Sequence, residues 1–191
     1  MSIPAPQPSL DGAFPPTSWT EIHAEAEGFP DLAIVNQGLD AMRPREAAAW
    51  HLSIVIEMKD VIVAGLPSAE EQQTLVALRE QLESLVLANN NGAVLASRTW
   101  NGTRQYIYRL RDPEPAHTAL GTFIAQGDTL RAFEYCIEHD PTWRLAEVLL
   151  APGSFDGDLW TPASGTKRSV PTSAIASRAG PGPATYDRES A

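Results

Sequence analysis

The stretch of sequence that decides the fold reads AVLASRTWNGTRQYIYRLR and spans residues 93–111. Two strand-like runs flank Asn101-Gly102. Asn-Gly is the strongest short signal for a β-hairpin, because a type I′ turn needs positive φ at both of its central residues. A two-residue turn also determines which residues face each other across the two strands. The resulting register places Val94 opposite Arg109.

A strand and a helix are predicted before the hairpin. From Ala48 to Met58, large apolar residues recur at every second position, which is the period of a strand with one buried face. After the break at Leu66-Pro67, Ser68 to Glu71 has the form of a capping box, in which hydroxyl and carboxylate each satisfy an amide. Leucines then follow at helical spacing, at Leu75, Leu78, Leu82 and Leu85. The helix is expected to end near Ala88.

Further elements lie on both sides of this central part. Pro113 opens a second, shorter helix that runs to about Gln126, and Arg131 to Glu138 reads as the last long strand. A short element is expected at Leu145 to Leu150. On the N-terminal side, Trp19 to Ala26 and Asp31 to Leu39 read as strands.

From residue 48 onward the elements follow the order strand, helix, strand, strand, helix, strand. This is the order of a ferredoxin-like βαββαβ sandwich, an α+β fold with an antiparallel sheet, here with one or two extra N-terminal strands. Both helices are expected on one face of the sheet, with strands 48–58 and 103–111 at its centre. The other face is expected to be open or to be covered by the N-terminal strands.

Composition divides the chain into one α+β domain, residues 19–151, and two tails. Residues 1–18 contain five prolines, which lack an amide donor, and we predict a flexible Pro-rich arm there. Residues 152–191 are rich in Gly, Pro, Ser, Thr and Ala, and their few large apolar side chains offer little to offset ordering entropy. This segment is predicted to be a flexible tail.

The charge of the chain argues against nucleic acid as a partner. The formal net charge is -10 and the pI is about 4.8. Residues 19–151 hold ten Lys or Arg and nineteen Asp or Glu, so the domain itself is acidic. Nucleic-acid binding needs clustered basic side chains that release counterions from phosphates.

The sequence indicates a soluble cytoplasmic protein without a membrane partner. Cys136 is the only cysteine, so no internal disulfide is possible and a reducing compartment fits; we expect this thiol to be buried. The N-terminus has neither the basic nor the apolar region of a secretory signal. The longest apolar run is far below the roughly 20 residues that span a bilayer.

Four short motifs carry a resemblance to a known family. They are residues 52–58 (LSIVIEM), residues 65–67 (GLP) before an acidic helix, residues 99–104 (TWNGTR) and residues 138–143 (EHDPTW). Over roughly residues 18–150 the chain resembles bacterial proteins of the domain of unknown function 695 family. The resemblance implies a small ferredoxin-like domain, found near or similar to the regulator of ribonuclease E activity B family, which acts by binding a protein. It transfers no catalytic residues.

Three places on the predicted fold are candidate binding surfaces. The first is a mixed-charge sheet face, which could equally be a solvated face with cross-strand ion pairs. The second is the segment 138–143, where Asp140 could instead cap a helical turn. The third is the hairpin tip, where Trp and Arg would be interface anchors unless the indole folds back onto the sheet. Together the candidates comprise Glu57, Arg98, Trp100, Arg104, Arg109, Glu138, Asp140 and Trp143.

The expected function is that of a non-catalytic regulatory or protein-binding module, without cofactor or metal. One alternative is a small-molecule binder or enzyme that uses Glu57, Arg98, Arg109 and Glu138 in a pocket on the sheet face. Another is self-association through an edge strand. No G-x-S-x-G, P-loop or G-x-G-x-x-G motif is present. Under the first hypothesis, substitution of Arg98 or Trp100 would leave stability nearly intact and abolish partner capture.

Overall fold

A computed structural model of the chain describes residues 12–151 and residues 168–169. The strands in chain order are β1 (Trp19–Ala26), β2 (Phe29–Asn36), β3 (Trp50–Glu57), β4 (Gly92–Trp100), β5 (Thr103–Leu110), β6 (Phe133–His139) and β7 (Arg168–Ser169). The α-helices are α1 (Ala69–Val86), α2 (Pro113–Gln126) and α3 (Arg144–Leu150), and short 3-10 segments lie at Gln37–Ala41, Arg45–Ala48 and Ala88–Asn90. These elements confirm the predicted α+β class.

The strands form one antiparallel sheet in the order β1-β2-β4-β5-β3-β6-β7. The two predicted N-terminal strands exist, but they extend the sheet beyond β4 and do not cover its open face. The second of them ends at Asn36, and Gln37–Ala41 is a 3-10 turn, which corrects the predicted strand end at Leu39. Strands β3 and β5 are neighbours near the centre, as predicted.

Helices α1 and α2 pack on one face of the sheet and enclose the helix-side core. The apolar residues of β3 that recur at every second position point into this core, together with the leucines of α1 and the tyrosines of β5. Burial of the Tyr106 ring is accompanied by a hydrogen bond from its hydroxyl to the Leu75 carbonyl oxygen at 2.9 Å. The period-two and helical patterns therefore identified this core correctly.

The predicted capping box is half right. The Ser68 hydroxyl accepts a hydrogen bond from the Glu71 amide at 3.1 Å, as an N-cap residue does. The Glu71 carboxylate does not return to the Ser68 amide, which donates instead to the Asp60 carbonyl oxygen. The Glu71 carboxylate accepts instead from the Arg131 guanidinium, at 2.9 and 2.6 Å, because the loop before β6 brings this side chain within reach.

The opposite face of the sheet is covered by α3 and by the chain between β2 and β3, so the expectation of an open face is wrong there. We call the apolar cluster on this side the reverse-side core. It consists of Ala33, Val35, Leu39, Met42, Ala48, Leu95, Ala96, Ile107, Trp143, Ala146, Leu149 and Leu150. Strands β2 and β4 contribute two apolar residues each and β5 contributes one, so no single stretch of sequence shows the pattern.

The hairpin turn has the predicted geometry, but its register shifts once. Asn101 and Gly102 have φ values of 42° and 77°, as a type I′ turn requires. A β-bulge between Val94 and Ala96 then moves Val94 opposite Tyr108, which corrects the predicted pairing with Arg109. One extra residue on β4 makes this shift, and such a residue leaves no composition signal.

The predicted tails fall largely outside the described residues, which omit 1–11, 152–167 and 170–191. Within the predicted N-terminal arm, Phe14 packs against the reverse-side core. The guanidinium of Arg111 lies 4.5 Å from the centre of the Phe14 ring. In the part of the chain that the structure describes, no helix has the length and apolar character needed to cross a membrane.

Candidate functional site

Arg109 lies at the centre of the reverse side of the sheet, fully buried on β5. Its guanidinium donates to the Asp140 carboxylate at 3.0 Å, to the Asp140 carbonyl oxygen at 2.7 Å and to the Ala48 carbonyl oxygen at 2.9 and 3.2 Å. The Trp143 ring lies under it, with 4.6 Å between the guanidinium carbon and the ring centre. Arg109 therefore joins the sheet to the segment before β3 and to the segment before α3, and its donors are directed into the protein.

Asp140 has a structural role at the start of α3. Its carboxylate accepts from the amides of Arg144 and Leu145 at 2.9 and 3.0 Å, in addition to its ion pair with Arg109. Trp143 is buried with a left-handed backbone, φ 61°, and its indole N–H donates to Ala48 and Arg45 carbonyl oxygens. The alternative interpretation of the EHDPTW segment, in which Asp140 caps a helical turn, agrees with this geometry.

His51 packs beside Arg109 on the neighbouring strand. The Arg109 Nη1 lies 3.3 Å from His51 Nδ1, and a guanidinium can only donate, so Nδ1 is the acceptor in this pair. Burial, aided by the positive charge of Arg109 and opposed by Asp140, lowers the pKa of His51 from 6.5 to about 3. Burial also lowers the pKa of Arg109 to about 10, against the opposing effect of Asp140. The imidazole is therefore neutral at physiological pH.

Arg98 forms a second buried ion pair, with Asp31 of β2. Its Nε and one terminal nitrogen meet the two carboxylate oxygens at 2.8 and 2.5 Å, a bidentate geometry. Next to this pair, the Gln105 amide donates to the Ser53 hydroxyl at 2.8 Å. Gln105 and Arg109 are four residues apart on β5, about 13 Å along a strand. The two arginines thus belong to separate pairs, and the mixed-charge pocket predicted from them does not form.

Replacing Arg98 by Ala should destabilise the protein by about 3–5 kcal/mol, because the substitution leaves the Asp31 carboxylate buried and unpaired. This reverses the expectation that Arg98 could be removed at little cost. Urea unfolding followed by circular dichroism measures the effect. The exposed Arg144→Ala is the matched control, expected within about 0.5 kcal/mol of wild type. Equal stabilities of the two variants would contradict a structural role for the pair.

The remaining predicted site residues lie apart from one another. Glu57 is exposed at the end of β3, and Glu138 is half-buried on β6. The Trp100 indole folds back and donates to the Ala26 carbonyl oxygen at 3.1 Å. Arg104 donates to Gln72 of α1 at 2.9 Å. Of the two interpretations of the hairpin tip, the one in which the indole folds back onto the sheet agrees with these contacts.

Sequence reasoning missed the most exposed apolar segment among the described residues, residues 61–66 between β3 and α1, which we call the apolar loop. The exposed fractions of Val61, Ile62 and Val63 are 43%, 54% and 95%. The run VIVAGL carried the signal, since branched apolar residues are unusual in a surface connection. Because the run ends at Leu66-Pro67, it was interpreted only as a break between the strand and the helix.

Hydrogen bonds hold the apolar loop in one conformation. The Ile62 amide donates to the Leu66 carbonyl oxygen at 2.8 Å, and the Gly65 amide donates back to Ile62 at 3.1 Å. The Gly102 amide of the hairpin turn donates to the Gly65 carbonyl oxygen at 2.9 Å. Gly65 has φ 73°, and an added Cβ would lie 2.9 Å from Asn101 Cα, so this contact requires glycine. The loop is thus braced on the hairpin.

Among the described residues, no group of three or more His, Cys, Asp or Glu side chains is placed to hold a metal ion. Cys136 is buried, as predicted. A search of the curated proteins found no match, and neither did a search of the solved structures. A comparison with known families matches residues 17–150 to the Family of unknown function (DUF695), and the chain therefore belongs to that family.

Proposed function

We propose that this protein is a non-catalytic protein-binding module whose docking element is the apolar loop. The observation that carries the proposal is the exposure of Ile62 and Val63 at the tip of a hydrogen-bonded turn. Contiguous exposed apolar surface on a folded domain is typical of interaction sites. Neither Ile62 nor Val63 belongs to either of the two apolar cores of the domain.

The conformation of the loop favours binding. An ordered docking element loses less conformational entropy on association than a mobile one does. The turn hydrogen bonds, together with the contact between Gly65 and the hairpin, fix the backbone before any partner arrives. Ile62 and Val63 are β-branched, so their side chains also have few rotamers to lose.

The surroundings of the loop indicate the chemistry of the partner. Exposed acidic side chains at Glu57, Asp60 and Glu70 lie in the sequence on either side of it, with Lys59 as the only nearby base in that segment. Electrostatic complementarity then favours an apolar pocket with a basic rim. A regulatory role in the cytoplasm agrees with this proposal and with the single cysteine.

The finer fold assignment belongs to the same proposal. We propose that β3-α1-β4-β5-α2-β6 is a ferredoxin-like unit, to which β1, β2 and α3 are additions. The sheet order β4-β5-β3-β6, with both helices on one face, supports this assignment. The family resemblance to the regulator of ribonuclease E activity B proteins, which bind a protein, points in the same functional direction.

The test compares proteins captured from a bacterial lysate by the immobilised wild type and by the Ile62→Ser/Val63→Ser variant. We expect the variant to lose the specific captured protein at least about tenfold, since loss of central apolar anchors costs more than about 1.4 kcal/mol. Its free energy of unfolding should stay within about 0.5 kcal/mol of wild type, because both side chains are exposed.

The matched control is Val76→Ser, which removes an exposed valine from α1. Capture that is equal in wild type and loop variant, or lost equally in the control, would refute the loop as the docking element. Analytical sedimentation of the purified protein tests whether the partner is a second copy of this chain. A concentration-dependent mass that the loop variant lacks would identify the partner as this chain itself.

A further inference from the structure

A groove opens on the helix side of the sheet, where β1 and β2 extend beyond the cover of α1. It has a volume of about 310 Å³. Its lining comprises Trp19, Ile34, Arg79, Glu83, Val94, Ser97 and Tyr106. None of these belongs to the apolar loop or to the buried ion pairs. The size is at the lower end of ligand pockets, which suits a small molecule.

One wall of the groove is apolar and accessible. Trp19 and Ile34 are 50% and 42% exposed, and they lie on adjacent strands on the same face of the sheet. Val94 forms the base between them and α1. Large side chains that are exposed singly are ordinary, but an indole and a branched aliphatic side chain that share a concave site can enclose an apolar ligand group.

The other wall carries one positive and one negative group. Arg79 Nε lies 3.3 Å from a Glu83 carboxylate oxygen, one helical turn away on α1. This single contact leaves the terminal guanidinium nitrogens and the second carboxylate oxygen able to meet a ligand. Burial raises the pKa of Glu83, with Arg79 acting in the opposite direction. The carboxylate is thus partly desolvated without full compensation.

One buried hydroxyl, that of Tyr108, interacts electrostatically with this pair. The Tyr108 hydroxyl is fully buried and has no hydrogen-bond partner among the described residues. Its pKa is raised by burial and, to a smaller extent, by the negative charge of Glu83, which places it in the electrostatic reach of the pair. A polar group buried without a partner is uncommon in native proteins.

We propose that this groove binds a free α-amino acid with an apolar side chain. In this arrangement Arg79 receives the α-carboxylate, Glu83 receives the α-ammonium, and the side chain lies against Trp19, Ile34 and Val94. A guanidinium and a carboxylate that lie side by side, with 3.3 Å between Arg79 Nε and a Glu83 oxygen, match a zwitterion, whereas an ion of one sign would meet one group of like charge. The apolar wall selects aliphatic or aromatic side chains over polar ones.

The test is calorimetric titration of the full chain with L-leucine and L-phenylalanine, beside N-acetyl-L-leucine and L-leucinamide. We expect the zwitterions to bind and each blocked compound to bind at least about tenfold more weakly, since each lacks one charge-assisted hydrogen bond. Equal affinity for the blocked compounds would overturn the recognition of a zwitterion. Absence of binding by leucine and phenylalanine at millimolar concentration would overturn the site altogether.

Variants locate the site. Glu83→Gln and Arg79→Gln should each weaken leucine binding at least about tenfold, while Glu114→Gln, an exposed acid on α2, should leave it unchanged. The indole N–H resonance of Trp19, assigned with Trp19→Phe, should shift on titration. Leucine binding that is unchanged in both Glu83→Gln and Arg79→Gln would refute this location. The Ile62→Ser/Val63→Ser variant should bind leucine normally, so this inference and the proposed function fail independently.

Discussion

Replacing Arg109 by Met should destabilise the protein by about 3–5 kcal/mol, as much as we expect for Arg98→Ala. The side chain is fully buried, and its removal leaves the Asp140 carboxylate without its cationic partner, with the amides of Arg144 and Leu145 as its remaining donors. Met has a similar length and is apolar, so the loss comes from the polar contacts and not from a cavity. Equilibrium unfolding in urea measures the difference.

A double variant separates the charge effect from packing. Asp140→Asn removes the negative charge and keeps an acceptor for one of the two amides, because Arg144 and Leu145 donate to different carboxylate oxygens. Combined with Arg109→Met it should restore a substantial part of the lost stability, because no buried charge remains. Strictly additive losses in the double variant would show that the two side chains do not act as a pair. Arg144→Ala again serves as the exposed control.

Acidification from pH 7.5 to 5 should cost the wild type about 2 kcal/mol of stability through His51 alone. The pKa of this imidazole is about 3 in the folded protein, whereas in the unfolded chain it takes its ordinary value of 6.5. A depressed folded pKa means that the stabilising contribution is complete above pH 6.5 and declines as the pH falls toward 3. The unfolded chain takes up the proton that the folded protein excludes.

His51→Gln is the variant that tests this dependence. Gln retains an acceptor for Arg109 but cannot titrate. Between pH 7.5 and 5, the free energy of unfolding of the variant should therefore fall by about 2 kcal/mol less than that of the wild type. Carboxylates with lowered pKa values, such as Glu71, respond below this window. Parallel stability curves for the variant and the wild type would show that the imidazole is protonated in the folded state.

Most secondary structure could be predicted because its signals are local. The Asn101-Gly102 turn, the cap at Ser68 and the period-two pattern of β3 each depend on neighbours in the sequence. The bulge at Leu95 could not be predicted in this way. An inserted residue conserves composition and alternation on either side of it, and only packing against both cores decides where it sits.

The candidate site was much less predictable. Arg98 and Arg109 were predicted to share one face of the sheet, but a charged side chain indicates a solvated face unless its partner is known. Asp31 and Asp140 are 67 and 31 residues away from those arginines, so no spacing rule links them. The covering elements also lie at distant points of the chain, before β3 and after β6. Long-range pairing of this kind is invisible to periodicity.

The placement of α3 has a consequence for synthesis of the chain. The helix-side core uses elements from β3 to β6, whereas the reverse-side core joins Phe14 and the segment 37–48 to residues 143–150. During synthesis, the helix-side core can therefore form before the residues that cover the reverse-side core have been made. Until Asp140 and Trp143 leave the ribosome, Arg109 and the apolar residues around it face water. Helix α3 thus completes the cover of the reverse-side core, and a chain truncated before it would expose that core to chaperones and proteases.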